Sequence, residues 1–171
     1  MQICWLRSIG LLAAAWCAMT FTHEGGHIVG GRLGGATLRD AELRPWRLPY
    51  SIHEPDPRPL VTLWSGPILG AIVPLAAAAA IRRDWAWFIA YFCLLANGSY
   101  LAAAWISGDR FLDTPQLLAA GAWPASILLY IVVTVVIGYW GFRQALLAGL
   151  RGTAADRAAC DGLKDERRDD A

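Results

Sequence analysis

The chain is expected to be an all-α integral membrane protein with about four transmembrane helices. Three observations predict this. Apolar residues make up 56% of its 171 residues. They gather into several runs of about 20, the length a helix needs to cross a bilayer. Nine tryptophans accompany them, a residue enriched at membrane interfaces. A net charge of +1 offers no basic surface, so no nucleic-acid partner is expected.

The first helix is expected from about Ile3 to Leu33. Arg7 followed by apolar residues 9–19 is a pattern shared with signal peptides. No polar region precedes a cleavage site near Ala18, and a polar motif follows at once, so this helix is expected to be retained. Gly30-Gly31-Arg32-Leu33-Gly34-Gly35 ends it, glycine supplying a left-handed cap. Residues 36–59 form an interfacial connection with Pro45, Pro49, Pro55, Pro57 and Pro59. Alternation in Thr37-Leu38-Arg39 and Glu42-Leu43-Arg44 permits a short strand or hairpin, and the prolines forbid anything long. Trp46 and Tyr50 suit a membrane interface.

The second span is expected from Leu60 to Ile81, with Ser65-Gly66-Pro67 in its first turns and a kink at Pro74. Arg82-Arg83-Asp84 turns the chain into a third span, Trp85 to Ile106. Asn97 lies inside it and is expected to bond to another helix or into a site. The last span is expected from about Pro115 to Leu150, broken at Gly121 to Pro124. Residues 1–150 then form one membrane-embedded domain, and 151–171, charged with both signs, a disordered tail. Cys4, Cys17, Cys93 and Cys160 show no C-x-x-C spacing and no disulfide framework.

At the end of the first apolar run stands His23-Glu24-Gly25-Gly26-His27, an H-E-x-x-H motif holding two of the three histidines. Positions four apart lie on one helix face one turn apart, so both imidazoles can bind one Zn²⁺. Glu24 beside them is the expected general base. Ionisable groups next to a membrane segment are costly and point to function. Alternation of four spans brings this motif, Gly66-Pro67, Asp109 and Asp113 to one membrane face. A catalytic zinc takes three protein ligands and leaves one position open, so Asp109 or Asp113 is expected as the third. Asp113-Thr114-Pro115 also suits a helix N-cap. His53, alone in a Pro-rich loop, is expected to be solvated.

His23-Glu24-Gly25-Gly26-His27, Gly30-Gly31-Arg32 and Ser65-Gly66-Pro67 together resemble the site-two protease family of intramembrane zinc metallopeptidases. The resemblance spans about residues 15–120 and represents a minimal core without a PDZ-like domain. It implies His23 and His27 as ligands, Glu24 as catalytic base, and Leu112-Asp113 as the Leu-Asp of the third-ligand motif. Thr114 stands where that motif has glycine, and an alignment on Gly108-Asp109 is the alternative. The expected activity is hydrolysis of peptide bonds within or beside the bilayer, in a membrane protein or peptide substrate. A transmembrane substrate must first unwind, because a helix hides its carbonyls in hydrogen bonds. Two other classes compete: a catalytically inactive relative serving as a membrane binding or regulatory module, and a small metal transporter. The gathering of polar residues at one face speaks against the transporter.

Overall fold

The computed structural model describes the backbone of residues 2–169 and the side chains of residues 8–148. Its elements are α1 (Gln2–Gly34), β1 (Leu38–Glu42), β2 (Tyr50–His53), α2 (Pro59–Ile81), α3 (Asp84–Ser107), α4 (Asp113–Ala119) and α5 (Pro124–Asp169). α5 runs on to Asp169, into the charged stretch 151–171 that was expected as a disordered tail. The fold is mainly helical, as expected. Three helical stretches among the described residues are long and apolar enough to cross a membrane: α2, α3 and Pro124–Ala148 of α5. The expected first span is not among them. At 33 residues, α1 is about 50 Å long, but His23 and Glu24 interrupt its apolar run.

The helix ends follow from backbone chemistry. Pro59 opens α2, where its missing N–H is no loss. Arg82 (φ 55°) closes α2 and Gly108 (φ 65°) closes α3 in the left-handed conformation. After α4, the Gly121 N–H bonds the Leu118 carbonyl and the Ala122 N–H bonds the Leu117 carbonyl at 2.8 Å. Gly121 has φ 92°, so this is a Schellman cap, and Pro124 starts α5. The break expected between Gly121 and Pro124 is therefore present.

α1 packs chiefly on α2, and α3 chiefly on α5. Short α4 is held by Leu117, which is fully buried with Leu101 of α3 and Ile127 of α5. Outward faces of the long helices stay apolar, as at Ile72, Leu128, Leu129 and Val136. In water such a surface is a liability, whereas lipid covers it without cost.

The hairpin that the alternation permitted exists. β1 and β2 pair antiparallel, with Asp40 opposite Ile52 and Glu42 opposite Tyr50, and an irregularity between Leu38 and Asp40. The connecting loop is tied back onto α1, where the Trp16 indole N–H donates to the Pro45 carbonyl at 2.7 Å. Beside the loop, hydrogen bonds from Arg44 hold the Glu42 carboxyl down to about 2.

Candidate metal centre

α1 presents His23 and His27 on one face, one turn apart. Opposite them stands Asp113, the first residue of α4. Asp113 Oδ2 lies 2.8 Å from His23 Nε2 and 3.3 Å from His27 Nε2. The two Nε2 atoms are 3.2 Å apart. All three residues are buried, with exposures of 3%, 4% and 8% for His23, His27 and Asp113.

The far sides of the rings decide what the near sides offer. His27 Nδ1 is 2.9 Å from the Thr62 carbonyl. A carbonyl only accepts, so Nδ1 carries the proton. His23 Nδ1 is 2.6 Å from Asn97 Oδ1. The Asn97 amide nitrogen donates to the Cys93 carbonyl at 2.8 Å, which leaves Oδ1 to accept from His23. In neutral rings both Nε2 atoms then bear lone pairs. Three acceptors converge with no donor among them. One proton satisfies one pair, whereas one cation satisfies all three.

His23, His27 and Asp113 could thus hold a metal ion. Tetrahedral bonds of about 2.0–2.1 Å set ligand atoms about 3.3 Å apart, close to the separations found. Oxygen acceptors behind ligand histidines fix tautomer and ring direction, as Asn97 and Thr62 do here.

Glycine brings the helices close enough for this. A Cβ on Gly26 of α1 would strike the Ser65 carbonyl, and one on Gly66 of α2 would overlap the His27 ring. Ser65-Gly66-Pro67 therefore serves the site by leaving room. On the other side, the buried Thr114 hydroxyl donates to the Leu101 carbonyl at 2.8 Å, pinning the start of α4 to α3. The Tyr100 ring stands edge-on to His23, with centroids 5.4 Å apart.

Of the two aspartates, the geometry brings only Asp113 to the histidines. Leu112, not Asp113, occupies the N-cap, and it makes no side-chain cap. The Asp113 carboxylate is accordingly free to turn to the imidazoles. Asp109 is exposed, and its Oδ1 accepts the Phe111 N–H at 3.0 Å. Residues 109–112 form a non-helical turn, so the two carboxylates do not share a direction. Asp109, expected as an alternative ligand, lies outside the cluster.

Glu24 is buried and within electrostatic reach of His23, His27 and Asp113. Ser51 of β2 stands near its carboxyl. His53 is not simply solvated. Its ring fills the space that a side chain at Gly31 would take, and its Nε2 is buried without a hydrogen-bond partner. Burial lowers its pKa. Thr62, Tyr100, Thr114 and Ser51 escaped the sequence reading. Thr62 acts through its main chain, which no side-chain pattern reveals. Ser51 carried a faint signal, sharing a strand face with His53.

Comparison with protein-family models, curated proteins and solved structures yields no match to this chain.

Proposed function

We propose that this protein is an intramembrane zinc metalloprotease of the site-two protease type, with α1 as a fourth span. One observation carries the reading. Two imidazole nitrogens and a carboxylate oxygen converge within 3.3 Å of one another, their tautomers fixed from behind, beside a buried glutamate. A structural metal site has no need of that glutamate. A carboxylate beside the two histidines and a buried Glu24 favour this reading over an inactive scaffold.

Zn²⁺ held by His23, His27 and Asp113 would polarise a scissile carbonyl and acidify a water. Glu24 would take the proton of that water and return it to the leaving amine. Asn97 and Thr62 would keep both imidazoles aimed at the metal, so that no proton occupies their Nε2 positions. Tyr100 and the α3–α4 contact would wall the site against bulk water. The substrate would be an apolar peptide unwound locally at its scissile bond.

The test uses detergent-purified protein and a labelled single-span peptide with an Asn-Gly-Pro break in its membrane segment. Glu24→Gln should retain about one zinc per chain by mass spectrometry, because it is no ligand. It should lose cleavage by roughly 100-fold or more, because an amide accepts no proton. Cleavage at the wild-type rate would remove Glu24 from its role.

A further inference from the structure

Trp16, His23, His27 and Gly31 fall within about 80° of azimuth on α1. One flank of that face is closed by α2, where Gly26 and Gly30 leave no room for a Cβ. The other flank is crossed by the β1–β2 hairpin. Its root docks at Gly31, where the His53 ring fills the place of a side chain. Its tip reaches Trp16, whose indole N–H donates to the Pro45 carbonyl at 2.7 Å. These two anchors are about 22 Å apart along the helix. His23, Glu24 and His27 all lie between them. The hairpin therefore passes over the side of the metal centre that the helices leave uncovered.

Its two ends are held differently. At the root, the Glu54 N–H bonds the Thr37 carbonyl at 2.8 Å, and the Thr37 N–H bonds the Pro55 carbonyl at 3.1 Å. Arg39 Nε adds a bond to the Glu54 carbonyl at 2.8 Å. At the tip, the Trp16–Pro45 bond is the one hydrogen bond from the loop to a helix among the described residues, and it is exposed. Trp46 and Leu48 beside it are 77% and 79% exposed and pack on little. Between its ends the hairpin is stiff, since β1 pairs with β2 and both Arg44 and Arg47 reach Glu42. A stiff piece with a bonded root and a single tip bond moves as a flap. The other walls are fixed more firmly: α1 and α2 interlock at Gly26 and Gly66, and α4 is anchored by buried Leu117.

We infer that the hairpin is a strap over the metal centre, hinged where His53 docks on Gly31 and latched by the Trp16–Pro45 bond. A peptide reaches the metal when the latch lets go. Peptide entry rests on the protease reading, whereas the strap itself does not.

Trp16→Phe keeps an aromatic ring and removes the donor. With spin labels at positions 48 and 72 of a cysteine-free protein, it should enlarge a long-distance population roughly 2- to 12-fold, the share of one neutral hydrogen bond. This measurement needs neither zinc nor substrate. Zinc transfer from loaded protein to excess chelator should quicken by the same factor. In Trp16→Cys/Pro45→Cys, a short bis-methanethiosulfonate bridge should slow zinc transfer roughly 10-fold or more and stop cleavage of the labelled single-span peptide. Reduction of the bridge should restore both, which separates locking from misfolding. Identical distance distributions in wild type and Trp16→Phe overturn the latch. Bridged protein that yields zinc at the reduced rate's equal overturns a strap over the metal. Bridged protein that cuts the peptide as fast as reduced protein overturns entry by this route. Slowed zinc transfer in a protein that leaves the peptide uncut even when reduced keeps the strap and refutes the protease reading.

Discussion

Each ligand in the candidate centre is aimed by a second residue. Asn97 fixes His23, the Thr62 carbonyl fixes His27, and Thr114 fixes the helix start that carries Asp113. Removing a ligand should therefore empty the centre, since two remaining groups do not hold zinc tightly. His23→Ala, His27→Ala and Asp113→Ala should each lose about one zinc per chain, measured by mass spectrometry after gel filtration. Asp109→Ala should keep its zinc, and its melting temperature should stay near wild type, because an exposed turn carboxylate contributes within about 0.5 kcal/mol. Full zinc in the Asp113 variant would discard the centre. The pairing of His23 and His27 was legible in the sequence because a spacing of four has one meaning on a helix. Asp113 and Asp109 were not separable, because their directions depend on whether residues 109–112 are helical or turned. Only part of Asn97 was readable: a polar group at that depth needs a partner, but the sequence does not say which.

At the scale of elements, Gly25 and Gly26 are adjacent and do opposite things. A Cβ on Gly25 meets nothing within 4 Å, whereas one on Gly26 meets the Ser65 carbonyl and the Gly66 backbone. Gly25→Ala should be neutral or stabilising by up to about 1 kcal/mol, since alanine favours the helix interior. Gly26→Ala should cost about 1–3 kcal/mol by forcing α1 and α2 apart. It should also lower zinc content, because His27 Nδ1 loses the Thr62 carbonyl. Thermal unfolding in detergent with parallel zinc analysis separates the two variants, and equal behaviour would refute the close approach. The limits of α2 and α3 lay open in the sequence, where apolar runs end at Arg82 and Gly108. The fold-back of the hairpin did not. It depends on Trp16 and Gly31, which are distant in sequence from the hairpin and meet it only in three dimensions.

For the whole molecule, the open quantity is the number of crossings. α2, α3 and Pro124–Ala148 qualify by length and composition. α1 is the longest helix that precedes them, and it packs chiefly on α2 along the motif. A helix whose buried face holds His23, Glu24 and His27 can cross a bilayer if its partners, not lipid, meet those groups. Here they do: all three are buried within the protein, while Phe21 and Val29 face outward. Low hydropathy at the motif thus reflects the site and not the lipid-facing side. If α1 crosses, Ser8 lies on the side of the Arg82-Arg83 turn, and Thr37 lies opposite with Asp109. If α1 merely lies along the bundle, Ser8 and Thr37 share a side. In a cysteine-free background, single cysteines at 8, 37, 83 and 109 in sealed vesicles can be reacted with an impermeant maleimide. The four-span arrangement predicts that 8 and 83 label together, and that 37 and 109 label together from the opposite side. Labelling of 8 with 37 would reduce the protein to three crossings and refute α1 as a span.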